Sequence, residues 1–228
     1  MRAPLARLAH RVCAATALAV TGAILTSLTL SGPADAEDVS GQFDYYVLAL
    51  SWSPSFCQEK GDTADPLQCD AVRPHRFIVH GLWPQYDEGW PDYCRARFGA
   101  PNRSEVDGIL DIMPSRSLAL HQWNKHGTCS GLSPGAYFDL TRAAFERVTI
   151  PDAFRQTVKT SRNSPESVEK AFRLANPGLS NKAMAVTCSN GTFREVRICL
   201  DRDLGFRDCP SVDSRACRAS RVTVPYPG

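Results

Sequence analysis

The sequence has no excess of basic residues once its first 36 residues are set apart. Those residues contain three of the 26 lysines and arginines and one of the 24 acidic residues, which leaves 23 of each sign. A protein that coats a nucleic acid backbone usually carries a strong basic excess. The composition therefore argues against such a protein, and any nucleic acid substrate would be bound locally, over a few nucleotides.

The sequence also lacks the closely spaced cysteine pairs that bind structural zinc. An even number of cysteines in an exported chain favours disulfides, here four, although it leaves 105 possible pairings open. We therefore predict a disulfide-stabilised protein from an oxidising compartment. Eight cysteines follow residue 36, namely Cys57, Cys69, Cys94, Cys129, Cys188, Cys199, Cys209 and Cys217.

The first 36 residues have the plan of a secretory signal peptide. Three arginines precede an apolar stretch over about residues 12–30, and Gly32, Pro33 and an Ala-x-Ala site ending at Ala36 follow it. The stretch is also long enough for a membrane anchor, which remains the alternative. The helix-breaking residues and the small-residue site favour cleavage after Ala36. We therefore expect a secreted or periplasmic protein with no membrane association after signal removal.

Residues 37–228 contain no internal repeat, low-complexity tract or long linker, and we therefore expect a single domain. Gly81 and Pro84 are expected to end the second of its strands, and Asn190-Gly191 is expected to join the last two in a hairpin. Runs of strand-forming residues bounded by turn residues predict four strands, at 45–51, 76–80, 183–188 and 193–200.

Helical patterns lie mainly between these strands. Ser104 is expected to cap the first helix and Ser164 the last. Strands at both ends of the domain, with helices between them, predict an α+β fold with a largely antiparallel sheet packed with several helices. Apolar residues at helical spacing, with caps and stops, predict four helices at 105–113, 117–126, 137–148 and 165–175.

Three of the four histidines after residue 36 lie in two short segments, FIVHGLWPQ at 77–85 and HQWNKHGTC at 121–129. The first segment is expected to bring His80 to the end of a buried strand, just before a turn. On the predicted helix, successive residues are about 100° apart, so Leu120 and Trp123 point into the core. The opposite sector, about 140° wide, carries four polar side chains. They are His121, Gln122, Lys125 and His126.

Two histidines and a lysine suit the cleavage of RNA. The 2′-hydroxyl of RNA can attack the neighbouring phosphorus, which needs a base for the hydroxyl proton and an acid for the departing 5′-oxygen. Histidine, with an ordinary pKa of about 6.5, serves either role near neutrality, and a lysine offsets the charge that develops on the phosphate. His80, His126 and Lys125 are therefore the candidate catalytic residues.

Other interpretations of these residues remain open. His75 is expected to be structural. His121 and His126 could bind a metal in a metal-dependent phosphoesterase, but their spacing is i, i+5, no carboxylate lies between them, and Lys125 would repel a cation. Trp83 could pack at the turn, or it could stack on a base, as aromatic residues do with single-stranded RNA.

These segments resemble the active-site motifs of the ribonuclease T2 family, whose members are secreted, acid, base-nonspecific endoribonucleases. The sequence HGLWPQ at 80–85 is similar to the first motif, and residues 121–129 are similar to the second. The sequence SWSP at 51–54, followed by Cys57, is similar to the start of the family's fold. The likeness extends over about residues 43–217.

The resemblance implies an α+β fold and cleavage of single-stranded RNA through 2′,3′-cyclic phosphates, with no metal and no other cofactor. We expect a monomer that leaves DNA intact, because DNA lacks the attacking hydroxyl. By resemblance, His126 is the general base and His80 the general acid. The other implied roles are phosphate binding by His121, transition-state stabilisation by Lys125, and base binding by Trp83 and Gln85. The implied disulfides are Cys57–Cys69, Cys94–Cys129, Cys188–Cys217 and Cys199–Cys209.

Gln122 departs from the family, which usually has a glutamate at this position. An amide cannot hold a proton or a charge as a carboxyl group does, but it can donate a hydrogen bond to a phosphate oxygen. Gln122 is therefore kept among the catalytic residues, and a slower enzyme or a shifted pH profile is expected. The alternative is a non-catalytic, secreted RNA-binding protein on the same fold.

Overall fold

The computed structural model describes residues 38–70 and 72–227. The predicted signal peptide lies outside these residues. The described residues belong to one compact unit. Within the described ranges, no helix has both the length and the apolar character needed to cross a membrane.

One six-stranded sheet organises the described chain, in the order β2-β1-β5-β6-β3, with β4 also paired to β5. All strand pairs are antiparallel except a single contact between β5 and β6. This confirms the predicted α+β fold with a largely antiparallel sheet. The strands are β1 (Tyr45–Trp52), β2 (Phe77–Gln85), β3 (Ser161–Asn163), β4 (Met184–Ser189), β5 (Thr192–Leu200) and β6 (Val222–Val224).

The larger apolar core packs against one face of this sheet, and helices cover it there. The side chains of Leu48, Leu50 and Trp52 alternate along β1 into this core, because successive residues of a strand face opposite ways. The helices are α1 (Ser53–Lys60), α2 (Arg103–Asp107), α3 (Arg116–Lys125), α4 (Pro134–Glu146), α5 (Asp152–Arg155), α6 (Pro165–Ala175) and α7 (Pro210–Asp213).

The opposite face of the sheet is the one that positions the polar site. Tyr45 and Val47 of β1 lie on it, in a small apolar cluster with Cys199 and Cys209. Beyond this cluster, the same face carries Ser51 and the polar residues of β5. The sheet thus separates a large apolar core on one side from a small cluster and a polar surface on the other.

The prediction that β2 ends at His80 is wrong, because the strand runs on to Gln85. A β-bulge and the edge position of β2 explain the difference. Ala49 pairs with Gly81 and Leu50 with Val79, so His80 is the extra residue of the bulge. Pro84 is tolerated because β2 lies at the edge of the sheet, where a missing N–H breaks no ladder.

The helix predicted over 105–113 is also wrong in extent. It spans only Arg103–Asp107, and its cap is Asn102, not Ser104. Asn102 accepts a hydrogen bond from the Glu105 backbone while the Glu105 side chain accepts one from the Asn102 backbone, which is a capping box. This N-x-x-E signal was present in the sequence and identifies the cap.

The other helix predictions and the predicted hairpin agree more closely with the structure. The helix over 165–175 and its Ser164 cap are confirmed, as is the hairpin of β4 and β5. Its turn needs positive φ at Asn190 (48°) and Gly191 (73°), which asparagine and glycine tolerate. The predicted helices over 117–126 and 137–148 are present with shifted ends, whereas α1, α5 and α7 were not predicted.

Four disulfides are formed, and they join the pairs that the family resemblance implies. They are Cys57–Cys69, Cys94–Cys129, Cys188–Cys217 and Cys199–Cys209. The second attaches the loop after β2 to the 3₁₀ turn Gly127–Ser130, which follows α3. Beside it, the Tyr93 backbone N–H donates a hydrogen bond of 2.9 Å to the Lys125 carbonyl. The loop after β2 and the end of α3 are thus fixed to each other.

Candidate active site

A cavity of about 340 Å³ lies between β2, β5 and the end of α3. It brings together every residue that the sequence nominated for catalysis or substrate binding. These are His80, Trp83, Gln85, His121, Gln122, Lys125 and His126. Residues not nominated also line it, namely Trp90, Arg197 and Arg215. His75 lies outside this cavity.

The bulge in β2 explains how one strand supplies so much of the wall. In a regular strand, His80 and Trp83 would face opposite sides of the sheet, since their separation is odd. Because two residues, His80 and Gly81, oppose Ala49, the alternation is reset at this point. His80 therefore lies on the same side as Trp83 and Gln85.

Helix α3 supplies the facing wall. Ser115 caps it by accepting a hydrogen bond of 3.2 Å from the Leu118 backbone. Within the polar sector, Gln122 and His126 are buried, at 1% and 7% exposed, whereas His121 is exposed and Lys125 is half-buried. Trp123 enters the core as predicted, but Leu120 is 40% exposed, and its predicted burial is wrong. The core side of α3 is narrower than the helical wheel implied.

Trp83 lies between the two candidate catalytic histidines. Its ring stacks on His126 with centroids 5.3 Å apart, and it meets His80 edge-on at 5.3 Å. Its indole N–H donates a hydrogen bond of 2.7 Å to Gln122 Oε1. Trp83 is therefore held in the wall by three neighbours, which makes it a spacer between the histidines rather than a free platform for a base.

Gly81 permits this close packing. A Cβ atom at this position would overlap both Gln122 Oε1 and Trp83 Nε1. Because an indole N–H only donates, its bond to Gln122 also fixes the orientation of the amide. The Gln122 Nε2 group has no hydrogen-bond partner among the described residues. It is also not one of the fully buried side-chain atoms that lack a partner there. It therefore remains available as a donor.

His126, at the C-cap of α3, is a buried base surrounded by cations. Burial, and then the positive charges of Lys125, His80 and His121, lower its pKa to about 3. The ring is therefore neutral near pH 7. Its Nδ1 atom is buried without a hydrogen-bond partner in the described ranges, which leaves Nε2 as the nitrogen that reaches the cavity.

His80 has a different environment, in which a carboxylate accepts a hydrogen bond from its ring. Its Nδ1 atom is 2.5 Å from Glu195 Oε1. The other carboxylate oxygen accepts hydrogen bonds from Arg197 Nε and Nη2, at 3.0 and 2.9 Å. Burial opposes ionisation of Glu195, but the bond from His80 and the charges of His80 and Arg197 outweigh it and lower its pKa to about 2. Glu195 is thus a carboxylate near pH 7.

A second and larger cavity, of about 610 Å³, adjoins the first at His80 and His121, which line both. Its other walls come from α1, from the loop closed by the Cys57–Cys69 disulfide, and from the start of α3. They include Phe56, Gln68 and Ser117. The two histidines therefore lie at the junction of two connected depressions.

Sequence reasoning missed four polar or aromatic residues around these cavities. A signal existed for Glu195 and Arg197, because charged residues at i, i+2 in a strand share one face, opposite to that of Arg194 between Phe193 and Glu195. No such signal marked Trp90 or Arg215, which meet through folding with the Arg215 guanidinium 5.1 Å from the Trp90 ring. Gln85 is buried, and its amide donates to the Pro84 carbonyl at 2.8 Å, so it is partly engaged within the wall.

The residues also bear on metal binding. In the part of the chain that the structure describes, no group of three or more histidine, cysteine, aspartate or glutamate residues is arranged to hold a metal ion. His121 and His126 have Lys125 beside them on the same wall of the cavity. The arrangement is one of imidazoles, an ammonium and an amide.

Comparison with known proteins gives a consistent result. Residues 43–209 match the model of the Ribonuclease T2 family. A ribonuclease from Aeromonas hydrophila is 36% identical over 178 residues, which cover 76% of this chain and 79% of that protein. Ribonuclease T2 of Sus scrofa is 24% identical over 209 residues, with 79% and 96% of the two chains covered.

Solved structures share the fold. An RNase-related protein from Calystegia sepium superposes with a TM-score of 0.66 at 24% identity, over 82% of this chain and 99% of that one. RNase NT in complex with 5′-AMP superposes with a TM-score of 0.60 at 26% identity, over 81% and 98%. The chain therefore belongs to the ribonuclease T2 family. Its class is that of the endoribonucleases.

Proposed function

We propose that this protein is an exported endoribonuclease that cleaves single-stranded RNA by transesterification, without a metal ion and with little base specificity. The observation that carries the proposal is the pair of contrasting imidazoles on facing walls of one cavity. His126 is neutral and buried among cations, whereas His80 has a carboxylate beside it. One ring is suited to accept a proton and the other to supply one.

The first half of the reaction uses His126 as the base. Its Nε2 atom takes the proton of the 2′-hydroxyl, and the 2′-oxygen forms a bond to phosphorus. A pKa of about 3 keeps the ring unprotonated in the free enzyme. The negative phosphate, bound beside Lys125, offsets the neighbouring positive charges, and this makes proton uptake easier once RNA is present.

The second half uses His80 as the acid. A proton passes from its Nε2 atom to the 5′-oxygen as the bond between that oxygen and phosphorus breaks, which releases a 2′,3′-cyclic phosphate. Lys125, His121 and the Gln122 amide face the cavity and stabilise the charge that develops on the phosphate oxygens. Each proton transfer of this kind typically contributes about 10²- to 10⁴-fold.

The two adjoining cavities suit an RNA strand that crosses the histidines. A phosphate at their junction would place one nucleotide in each depression, since His80 and His121 line both. In the smaller cavity, Trp90 is half-exposed and lies against Arg215. It offers a stacking surface that any base can use. Trp90 therefore supports low base specificity. Trp83 is less suited to stacking on a base, because it is already packed between His80 and His126.

Export and a monomeric state complete the proposal. Four disulfides are typical of proteins that fold in an oxidising compartment. The basic, apolar and small-residue plan of residues 1–36 supports removal of a signal peptide. Every residue used in the reaction comes from a single chain, so the proposed chemistry needs no second copy.

The test is digestion of matched single-stranded RNA and DNA by the purified protein, with and without a chelator. We expect RNA to be cut equally in both conditions, with 2′,3′-cyclic phosphate ends, and DNA to remain intact. Loss of activity in the chelator, restored by zinc or magnesium, would contradict the metal-free mechanism. RNA binding without cleavage would instead identify a non-catalytic binding protein on this fold.

A further inference from the structure

The strand β5 brings a buried carboxylate directly behind His80. Glu195 pairs with Ser51 of β1, and Arg197 pairs with Ala49, which itself opposes the bulge at Gly81. All of these residues lie on the face of the sheet that carries the cavity. Since neither β1 residue has a bulky side chain, Glu195 reaches across β1 to the bulge in β2. The contact therefore depends on the bulge and on the register of three strands.

Both oxygens of this carboxylate are engaged. Oε1 accepts from His80 Nδ1 at 2.5 Å, and Oε2 accepts from two nitrogens of Arg197. The Glu195 side chain is 10% exposed, whereas that of His80 is 37% exposed. The Arg197 guanidinium also lies 5.2 Å from the Trp83 ring, which confines it from the other side. Glu195 is thus fixed on one side by an arginine and faces the histidine with the other.

The state of the carboxylate decides the state of the ring. The pKa of Glu195 is lowered to about 2, since the bond from His80 and the charge of Arg197 outweigh burial. An ionised carboxylate only accepts hydrogen bonds, so Nδ1 of His80 carries a proton whether the ring is neutral or charged. The nitrogen that gains or loses a proton is then Nε2.

We propose that Glu195, oriented by Arg197, is a positioning residue that fixes the tautomer and ring orientation of His80. It acts through His80: its side chain borders the larger cavity but is only 10% exposed, and both carboxylate oxygens are already engaged by His80 and Arg197. The inference rests on the proposed role of His80 as the acid. When the Nε2 proton passes to the 5′-oxygen, the ring becomes neutral with its remaining proton on Nδ1, still bonded to Glu195. The same ring is reset when Nε2 takes a proton from water.

Other charged groups also face His80, and they bear on any pH profile. The carboxylate that contacts the ring is Glu195, and the others act across the two cavities. They are Arg194 and Arg197 on β5, His121, Lys125 and His126 on and at the end of α3, Glu59 and Lys60 on α1, and Asp65 and Arg215 in loops. Glu59 is ion-paired with Arg194. A change at Glu195 therefore removes the anion that touches the ring and leaves the cationic neighbours in place.

The decisive variant is Glu195→Gln. An amide has one acceptor oxygen, and it cannot serve both His80 and Arg197. If the oxygen stays with Arg197, the amide N–H faces Nδ1 and favours the opposite tautomer. We expect kcat to fall by at least about 10-fold, with KM within about twofold. The alkaline limb of the kcat/KM profile should move to lower pH, because a protonated imidazole has lost its anionic neighbour.

Two further variants separate positioning from simple stability. Glu195→Asp keeps the charge and should restore the position of the alkaline limb, even if the shorter side chain leaves kcat reduced. Glu169→Gln is the matched control, since Glu169 is a half-buried carboxylate that accepts from the Val186 backbone of β4, away from both cavities. It should leave kcat and the pH profile unchanged. An equal loss in Glu169→Gln and Glu195→Gln would refute the proposal.

Nitrogen-15 NMR of the imidazoles provides a readout that needs neither RNA nor a variant. In the parent protein, neutral His80 should show a protonated Nδ1 and an unprotonated Nε2. The opposite tautomer would overturn the inference even if the protein cleaves RNA. The expected tautomer in a protein that fails to cleave RNA would sustain the positioning contact and refute only the proposed function. Unchanged kcat and pH profile in folded Glu195→Gln would also overturn it.

Discussion

The two histidines occupy opposite kinds of environment, although one indole separates them. His80 lies on a bulged strand, is partly exposed, and is bonded to a buried carboxylate. His126 lies at the end of a helix, is buried, and has Lys125 and two other histidines as its charged neighbours. The strand supplies an anion to one ring, and the helix supplies cations to the other.

This difference supports the roles that we propose for the two rings, without reference to the order of residues in the chain. Acid and base catalysis at one pH need two groups whose surroundings favour opposite protonation states. A carboxylate neighbour favours an imidazolium, whereas burial and positive neighbours favour a neutral imidazole. In the proposed mechanism, the sheet thus gives one ring an anionic neighbour, and the helix end gives the other a buried position beside Lys125.

The largest expected effect comes from removing either ring. His80→Ala and His126→Ala should each lower kcat/KM by about 10²- to 10⁴-fold, measured on single-stranded RNA. The double variant should lose less than the product of the two, because both groups serve one transition state. His75→Ala, outside the cavities, is the control and should keep the parent rate. A folded His80→Ala protein with normal turnover would show that His80 is not the acid.

The sequence was sufficient to nominate the cavity, because most of its wall is local. Four polar residues on one short helix face the same way by helical geometry alone, and the motif at 80–85 provides the facing wall. Long-range pairing decided the rest. Glu195 is 115 positions from His80 in the chain, and only the register of β5 against β1 places them together. A period-two pattern gives the face of a strand but not its neighbour.

The errors of prediction have local causes. Gly81 and Pro84 predict the end of β2, because both usually interrupt strands. At an edge strand, however, proline breaks no ladder, and the glycine next to the bulge admits Trp83 and Gln122. The helical wheel places Leu120 in the core, but the elements that pack against α3 cover only part of the apolar side of this helix, and Leu120 is 40% exposed. Neither edge position nor coverage can be read from one chain's pattern.

The second largest expected effect is the loss of kcat on removing the Gln122 amide, which is the hydrogen-bond donor that we propose for the phosphate. Its Oε1 accepts a hydrogen bond of 2.7 Å from Trp83, so in the proposed mechanism Nε2 is the donor left for the phosphate, and it does not titrate. Gln122→Ala should lower kcat at acidic pH by about 10²- to 10³-fold, the range for loss of one such donor. Equal rates for Gln122→Ala and the parent at every pH would show that the amide has no contact with the transition state.

Gln122→Glu sharpens the same point. A carboxyl group in this buried position donates only while protonated, and burial raises its pKa above the ordinary value of about 4.3. The variant should therefore perform best at acidic pH and lose activity more steeply than the parent as pH rises. Trp83→Phe is the companion control. It keeps an aromatic ring against His126 but frees the amide, and a loss of about 5-fold is expected for one hydrogen bond.

The smallest effect concerns the position of the acid limb of the kcat/KM profile. It tests directly how burial and the neighbouring positive charges lower the pKa of His126. Because the pKa of His126 is lowered to about 3, its basic form persists well below neutrality. The acid limb of kcat/KM should therefore lie near pH 3, measured where near-ultraviolet circular dichroism shows the fold intact. A limb near the ordinary histidine value of about 6.5 would contradict a buried, neutral His126.

Lys125→Gln should then move this limb upward. Burial is the largest cause of the lowered pKa of His126, and the charge of Lys125 is the next. Removing the ammonium makes protonation of His126 easier, so the base is lost at a higher pH than in the parent. The limb should still lie below neutrality, because burial is unchanged. Lys125→Arg keeps the charge and should leave the limb in place, although both variants reduce the plateau by disturbing phosphate contacts. If Lys125→Gln and Lys125→Arg have the acid limb at the same pH, the charge of Lys125 acts on the phosphate alone. Burial without that charge then keeps His126 neutral.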